Sequence, residues 1–279
     1  MSRPELTLIQ LSDPHIVADP GGRLHGHVDT LAVLESALDT VTRSGAEVHG
    51  LLLTGDLTED GSPVAYRRLR AAVERLGVPI VYAMGNHDDR AAFRGELLDE
   101  PGSEPYHAAH EIDGVRIVVL DSTRPGRHDG HLDDDQLEWL RTELVVPAPR
   151  GTVLVVHHPP LPSPVPTVHL LRLRDAGRLA ECLAGSDVRL VVTGHAHHTG
   201  CGALAGIPVW VSPALAYRVE ALPPRARLIG SAASGLSRID LIDGAFVATA
   251  VDLGAAAPVY DEDEASRVRW VAEHTAQAG

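Results

Sequence analysis

The sequence predicts an α/β sandwich, and three observations predict it. Short β-rich runs alternate with helical patterns over roughly the first 210 residues. The chain has 279 residues and is 44% apolar, enough to bury a substantial core in one large domain or two small ones. Five of the strands also run straight into Asp, Asn or His, at the end of the sheet where open α/β folds bind ligands.

Each element has a local reason. Leu6 to Leu11 reads as a buried strand, and after a Gly-containing loop Leu31, Leu34, Leu38 and Val41 form one face of a helix. Val48 to Thr54 is the second strand. Ser62-Pro63 supplies an N-cap and a first-turn proline for a helix through Leu76, with Tyr66, Leu69, Val73 and Leu76 on one face and Gly77 closing it. Pro79 to Met84 is a strand and Asp89 to Leu98 a short helix. Ile112-Asp113-Gly114-Val115 signals a hairpin leading into the strand Val115 to Leu120. A helix near Asp133 to Leu144, a strand Thr152 to Val156, a helix near Asp175 to Leu183, and strands Val188 to Val192 and Ile207 to Val211 follow. The stretch Pro213 to Arg227 opens a loop excursion in 213–236. Ser237 to Ile242 and Ala245 to Asp252 then make a hairpin over Asp243-Gly244, and the acidic Asp261 to Glu264 starts a terminal helix. There is no internal repeat and no low-complexity linker.

Composition excludes several partners. All 24 basic residues are Arg, Asn86 is the only Asn, and 16 residues are His, a bias expected of a GC-rich genome. The formal net charge of -14 disfavours a long nucleic acid, whose binding rests on cationic side chains neutralising phosphates. No apolar run approaches the roughly 20 residues that span a bilayer, so no membrane partner is expected. The start, Met1 to Pro4 followed by Leu6-Thr7-Leu8-Ile9, is too short for a secretory apolar region. Cys182 and Cys201 form no C-x-x-C pair, and a reducing cytoplasm is the expected setting.

The strand ends carry the chemistry. They read Ser12-Asp13-Pro14-His15, Thr54-Gly55-Asp56, Gly85-Asn86-His87-Asp88, His157-His158-Pro159 and Thr193-Gly194-His195-Ala196-His197. Carboxylates, imidazoles and one amide carbonyl, without thiolate, suit divalent manganese, iron, zinc or cobalt. Seven such donors are too many for one tetrahedral ion and natural for two ions sharing a carboxylate. Paired ions have a standard use: one activates a hydroxide while both stabilise a phosphoryl group undergoing in-line displacement.

In this order the series resembles the calcineurin-like metallophosphoesterases. The strings Gly85-Asn86-His87-Asp88-Asp89-Arg90, His157-His158-Pro159-Pro160 and Ala65-Tyr66-Arg67-Arg68-Leu69-Arg70 are similar to the bacterial class III cyclic-nucleotide phosphodiesterases, a likeness that fades beyond about residue 212. The resemblance implies a four-layer αββα sandwich of two mixed β-sheets flanked by helices, with the terminal hairpin in the second sheet. The chain reads as a metallophosphoesterase domain over 1–254 and a tail over 255–279, where Val268, Val271 and Trp270 would dock a terminal helix on the body. The resemblance assigns Asp13, His15, Asp56 and His197 to one metal and Asp56, Asn86, His157 and His195 to the other, with Asp56 as the bridge. His87 and Asp88 are then the catalytic pair, His87 protonating the leaving alkoxide and Asp88 orienting a neighbouring group.

The expected activity is hydrolysis of 3',5'-cyclic nucleotides, cAMP or cGMP, to 5'-monophosphates by attack of a metal-activated hydroxide. A hydrolase of glycerophosphodiesters or another small diester is the alternative, since the metal motif is shared. A phosphomonoesterase is a less favoured reading, and an inactive scaffold is disfavoured because every ligand position and His87 are filled. Relatives are often dimers, so a homodimer is the matching expectation, although no interface stripe is legible. His25, His131 and His158 are candidate substrate contacts from their places in or beside the site loops. His27 and His128 read as loop residues, and His49, His107, His110, His169, His198 and His274 as surface or satisfied core residues.

Overall fold

The computed structural model describes residues 3–254 and 257–275. In chain order the elements are β1 (Leu6–Leu11), α1 (Thr30–Arg43), β2 (Gly50–Thr54), α2 (Pro63–Val73), β3 (Ile80–Ala83), α3 (Arg90–Phe93), β4 (His107–Ile112), β5 (Val115–Leu120), α4 (Asp134–Glu143), β6 (Thr152–Val156), α5 (Pro166–Leu171), α6 (Ala176–Leu183), β7 (Val188–Thr193), β8 (Gly200–Leu204), β9 (Ile207–Val211), β10 (Arg218–Val219), β11 (Gly230–Ser231), β12 (Gly235–Ile242), β13 (Ala245–Asp252) and α7 (Glu264–Thr275). The starts follow the expected capping chemistry: Asp29, Ser62, Asp89 and Asp133 each accept a hydrogen bond from a backbone N–H in the first turn of α1, α2, α3 and α4.

The strands form a five-stranded sheet in the order β13-β12-β1-β2-β3 and a six-stranded sheet in the order β4-β5-β6-β7-β9-β8. Side-chain alternation along the second sheet sets the layers. Ile117, Val119, Val153, Val155, Leu190 and Val192 join the core shared with the first sheet. Their neighbours Val118, Leu120, Leu154, Val156 and Val191 point the other way, onto Leu137 and Leu140 of α4 and Leu179 and Leu183 of α6. Leu34 and Leu38 of α1 and Leu69 and Val73 of α2 cover the first sheet. The result is the expected αββα sandwich.

Two expectations differ from the structure, and a third lies outside the described residues. The terminal hairpin joins the first sheet, not the second: β12 pairs antiparallel with β1, Leu6 opposite Leu241 and Leu8 opposite Ile239, and so covers an edge that β2 leaves open. The helix α7 forms, but none of its residues is buried and Val268, Trp270 and Val271 are exposed, so the expected docking is not seen. The proposed boundary after residue 254 falls at 255–256, outside the described residues, as do 276–279. Some elements carried no signal. β8, Gly-Cys-Gly-Ala-Leu, lacks β-branched residues and forms only because β9 templates it at the sheet edge. Among the described residues no helix is long and apolar enough to cross a membrane.

The two sheets are tied just below the crevice. The buried Gln10 amide of β1 donates to the Thr54 hydroxyl of β2 at 3.0 Å and to the Thr193 carbonyl of β7 at 3.1 Å. Gln10→Met keeps the volume and deletes both bonds, leaving the buried Thr54 hydroxyl unpaired while the Thr193 carbonyl keeps the Ser212 N–H at 3.0 Å. It is expected to lower the unfolding free energy by about 1–3 kcal/mol, read from the urea midpoint; an unchanged midpoint would show that the tie is dispensable.

Candidate metal centre

The five strand ends meet in one crevice because they are the carboxyl ends of parallel strands, β1, β2 and β3 in one sheet and β6 and β7 in the other. Backbone bonds lace their loops together: Asp13 N–H to Gly55 O at 3.1 Å, His15 N–H to Asp56 O at 3.0 Å, and Gly194 N–H to His157 O at 3.0 Å. Five residues there adopt left-handed backbone, Asp13 (φ 53°), His15 (46°), Asp56 (47°), His195 (63°) and His197 (52°). That conformation is unfavourable for side-chain-bearing residues, least so for Asp and His, and it turns successive side chains to one side. Two glycines allow the close approach. A Cβ on Gly85 would strike Asp56, and one on Gly194 would strike Ser12 and Asp13.

Hydrogen bonds settle which nitrogen of each histidine faces inward. His157 donates from Nδ1 to the Thr54 carbonyl at 2.8 Å, and His197 from Nδ1 to the Tyr217 carbonyl at 3.0 Å. A carbonyl only accepts, so Nδ1 carries the proton and Nε2 is left to offer a lone pair. His15 Nδ1 lies 2.8 Å from the Glu59 carboxylate, which sets the same tautomer. The three Nε2 atoms converge on two carboxylates. Asp56 Oδ2 stands 3.6 Å from His15 Nε2 and 3.3 Å from His157 Nε2, and Asp13 Oδ1 stands 3.4 Å from His197 Nε2. His15 and His197 face each other Nε2 to Nε2 at 3.2 Å.

The potential donors fall into three groups, Asp13, His15, Asp56 and His197 in one, His157, His158 and His195 in a second, and His15, Glu59 and His87 in a third that shares His15 with the first. Asn86 Oδ1 and His157 Nε2 are buried with no hydrogen-bond partner. Burial alone would raise Asp13 and Asp56, yet the facing imidazoles prevail, holding Asp13 at about 2 and Asp56 well below the usual carboxylate range. Against its own burial, Asp56 lifts His157 to about 9, while burial and the neighbouring His157 press His195 down to about 3. Carboxylates kept ionised, lone pairs aimed at one another and an orphaned amide oxygen together fit divalent cations of borderline hardness.

His87 stands beside this cluster. Its backbone N–H donates to Asp56 Oδ1 at 2.9 Å, and its Nδ1 donates to the Glu59 carbonyl at 3.0 Å, which leaves Nε2 free. Burial works against its charge, but Asp56, the Glu59 carbonyl and the Glu59 carboxylate raise its pKa above the ordinary value.

Asp88, expected to orient a neighbouring group, turns its carboxylate into the surrounding loops. Its carboxylate accepts from Leu57 N–H (3.1 Å), Thr58 N–H (3.2 Å), Gly85 N–H (2.9 Å) and the Tyr66 hydroxyl (2.9 Å). It therefore clamps the Asp56 loop to the Asn86 loop, although burial and the nearby Asp56 push its pKa up to about 6.

The three candidate substrate contacts fare differently. His158 is fully buried, its ring 4.4 Å from that of His195 and its Nδ1 2.7 Å from Ser122 Oγ, so it belongs with the donor group and not with a substrate surface. His131 lines an outer cleft with Arg90 and Thr123, and it is His128 that reaches the centre, 3.1 Å from the Asn86 amide nitrogen. His25 is exposed and packs edge-on against Tyr217, which lies 4.1 Å from the His197 ring. Glu59 and Tyr217 are the contributors that sequence reasoning missed. Only the place of Glu59 three residues after Asp56 hinted at a role, and Tyr217 sits in the loop excursion with no pattern around it.

Comparison with known proteins agrees with this geometry. The model of the calcineurin-like phosphoesterase family matches residues 6–199. A probable cyclic nucleotide phosphodiesterase of Rhodococcus erythropolis is 42% identical over 277 residues, covering 95% of this chain and 90% of its own. A cAMP/cGMP dual specificity phosphodiesterase of Mycobacterium tuberculosis is 44% identical over 222 residues, covering 77% of this chain and 69% of its own. Among solved structures, a purple acid phosphatase from yellow lupin superposes with a TM-score of 0.65 at 14% identity, over 94% of this chain; the chain spans 53% of that larger protein.

Chelation should lower the melting temperature, and resupplied manganese or zinc should restore it. At a thousandfold excess over Kd the gain is about 4 kcal/mol. Asp56→Ala should abolish the response, measured by scanning fluorimetry; a metal response of normal size in this variant would show that Asp56 is not a ligand.

Proposed function

The chain belongs to the calcineurin-like phosphoesterase family, metal-dependent phosphodiester hydrolases, and from that premise we propose that it hydrolyses 3',5'-cyclic nucleotides to 5'-monophosphates at two divalent ions. The observation that carries this reading is that the residues of the family pattern, drawn from five separate strand ends, turn their free donor atoms into one crevice. The cyclic-nucleotide assignment rests on the likeness to the two phosphodiesterases, one of which is 42% identical over 95% of this chain. A cytoplasmic setting belongs to the same reading, supported by the two free cysteines.

In this proposal Asp13, His15, Asp56 and His197 hold one ion, and Asp56, Asn86, His157 and His195 hold the other. Asp56 is the shared ligand, as its oxygen between His15 and His157 suggests. His158 is a further nitrogen near the second group. When bound, the ions supply Lewis-acid charge for the nonbridging phosphoryl oxygens and activate water.

The protein's own groups do the rest. The carbonyls of Thr54 and Tyr217 and the Glu59 carboxylate hold three imidazoles in the tautomer that presents Nε2. His87 keeps Nδ1–H on the Glu59 carbonyl, so a second proton can reside only on Nε2, the nitrogen left free. Burial opposes the charge on His87, but Asp56 and Glu59 raise its pKa above the ordinary value, which favours a proton on Nε2 for delivery to the departing 3'-oxygen. Asp88 keeps the His87 loop against the Asp56 loop while this happens.

The protein loaded with defined metals should turn over cAMP, cGMP and bis(p-nitrophenyl) phosphate. Turnover confined to glycerophosphocholine or to phosphomonoesters would replace the cyclic-nucleotide assignment. His87→Ala should keep the metal content of the wild type and lose about 100-fold or more in kcat, the scale of general-acid catalysis. Equal loss of metal in His87→Ala and Asp56→Ala would overturn the division of roles.

A further inference from the structure

Beside the metal centre lies a cavity of about 480 Å³ whose inner wall is Asn86 and His87 and whose outer walls include Asp60, Asp89, Thr123 and Arg124. It borders His87, the group placed against the departing oxygen, and Asn86, a proposed metal ligand. On the cyclic-nucleotide reading, on which this inference rests, the nucleoside attached to that oxygen extends into it.

The charges around the cavity are unequal in their commitments. Arg90 is spent on structure, donating from Nε to Asp121 at 2.9 Å and from a terminal nitrogen to the Thr123 carbonyl at 3.0 Å. Arg127, in the adjoining cleft, is held by Asp129 at 2.9 Å. Arg124 is exposed and makes no ion pair or side-chain hydrogen bond among the described residues, although it lines both spaces. Across from it, Asp60 accepts from the Ser62 N–H at 3.1 Å and Asp89 from the Ala92 N–H at 2.9 Å, each through one carboxylate oxygen, with the other uncommitted.

A second phosphate is a poor occupant, since two carboxylates oppose the single free guanidinium. A neutral ring with acceptors on one edge and donors on another suits this lining. Guanine has that pattern: O6 and N7 accept from the two-pronged arginine fork, while its ring and exocyclic N–H groups can give to a carboxylate. Adenine sets an N6 amino donor beside N7, so the same edge meets the arginine donor to donor.

We propose that this cavity receives the nucleobase and that Arg124 is a specificity-determining residue favouring guanine over adenine. The test compares kcat/KM for cGMP and cAMP in the metal-loaded wild type, Arg124→Gln and Arg124→Lys. The ratio is the readout, because a general loss of activity cancels in it. Wild type should favour cGMP about tenfold, the scale of one bidentate contact, and both variants should bring the ratio within about twofold of unity, since lysine has no fork. The products give an independent measurement: GMP should inhibit wild type about tenfold more strongly than AMP, and Arg124→Gln should level the two. A wild-type ratio at or below one, or a ratio unchanged in Arg124→Gln, overturns the Arg124 assignment and leaves the cyclic-nucleotide reading standing. Hydrolysis of bis(p-nitrophenyl) phosphate with neither cyclic nucleotide consumed overturns both.

Discussion

The structure turns on one electrostatic constraint: ionised carboxylates and imidazole lone pairs are crowded into a buried crevice where they repel one another unless a cation lies among them. His15 and His197 point Nε2 at Nε2 across 3.2 Å, and Asp56 stands within 3.6 Å of two imidazoles. The crowding shows in the two neighbouring imidazoles: against its burial the carboxylates lift His157 to about 9, while burial and His157 press His195 down to about 3. A divalent ion supplies compensating charge at a fixed place and frees the nitrogens to act as ligands. Much of the surrounding architecture serves to keep this unfavourable gathering together.

Three devices do so. Left-handed backbone at five of the converging residues turns the strand ends inward, at a local conformational cost that the laced loop backbone offsets. Oxygen acceptors behind the imidazoles, two carbonyls and the Glu59 carboxylate, fix the tautomers before any ion arrives. Asp88 binds backbone from two loops and the Tyr66 hydroxyl at once, and its neighbour His87 inherits its position from that clamp. Adjacent residues in the sequence thus divide the labour, His87 toward the crevice and Asp88 into the frame.

The global charge of -14 says little about what enters such a site. What matters is local: cations at the crevice floor for the phosphodiester, and on one side a cavity where a free guanidinium faces two partly committed carboxylates. In the proposed reaction the first feature sets the chemistry and the second sorts substrates by their hydrogen-bonding edges. The two are joined at Asn86 and His87, so base recognition and proton delivery share a wall.

Read by itself, the sequence determined the succession of strands and helices and the types of donor available: strands such as Leu6–Leu11 and Gly50–Thr54 are predominantly apolar, and Asp13, Asp56 and Asn86 stand just beyond strand ends where only a turn residue was needed. These features are local, so they are legible along the chain. Whatever depends on which segments become neighbours was decided by tertiary structure. Glu59 became the partner of His15, His128 rather than His131 met Asn86, His158 sank beneath the crevice, and Asp88 turned into the backbone. The hairpin β12–β13 chose the first sheet because the open edge of β1 was there to be covered, and α7 formed from local propensity without finding a surface to bury it. Donor atoms can be counted in a sequence; where each one points is set by the packing of strands that lie far apart in it.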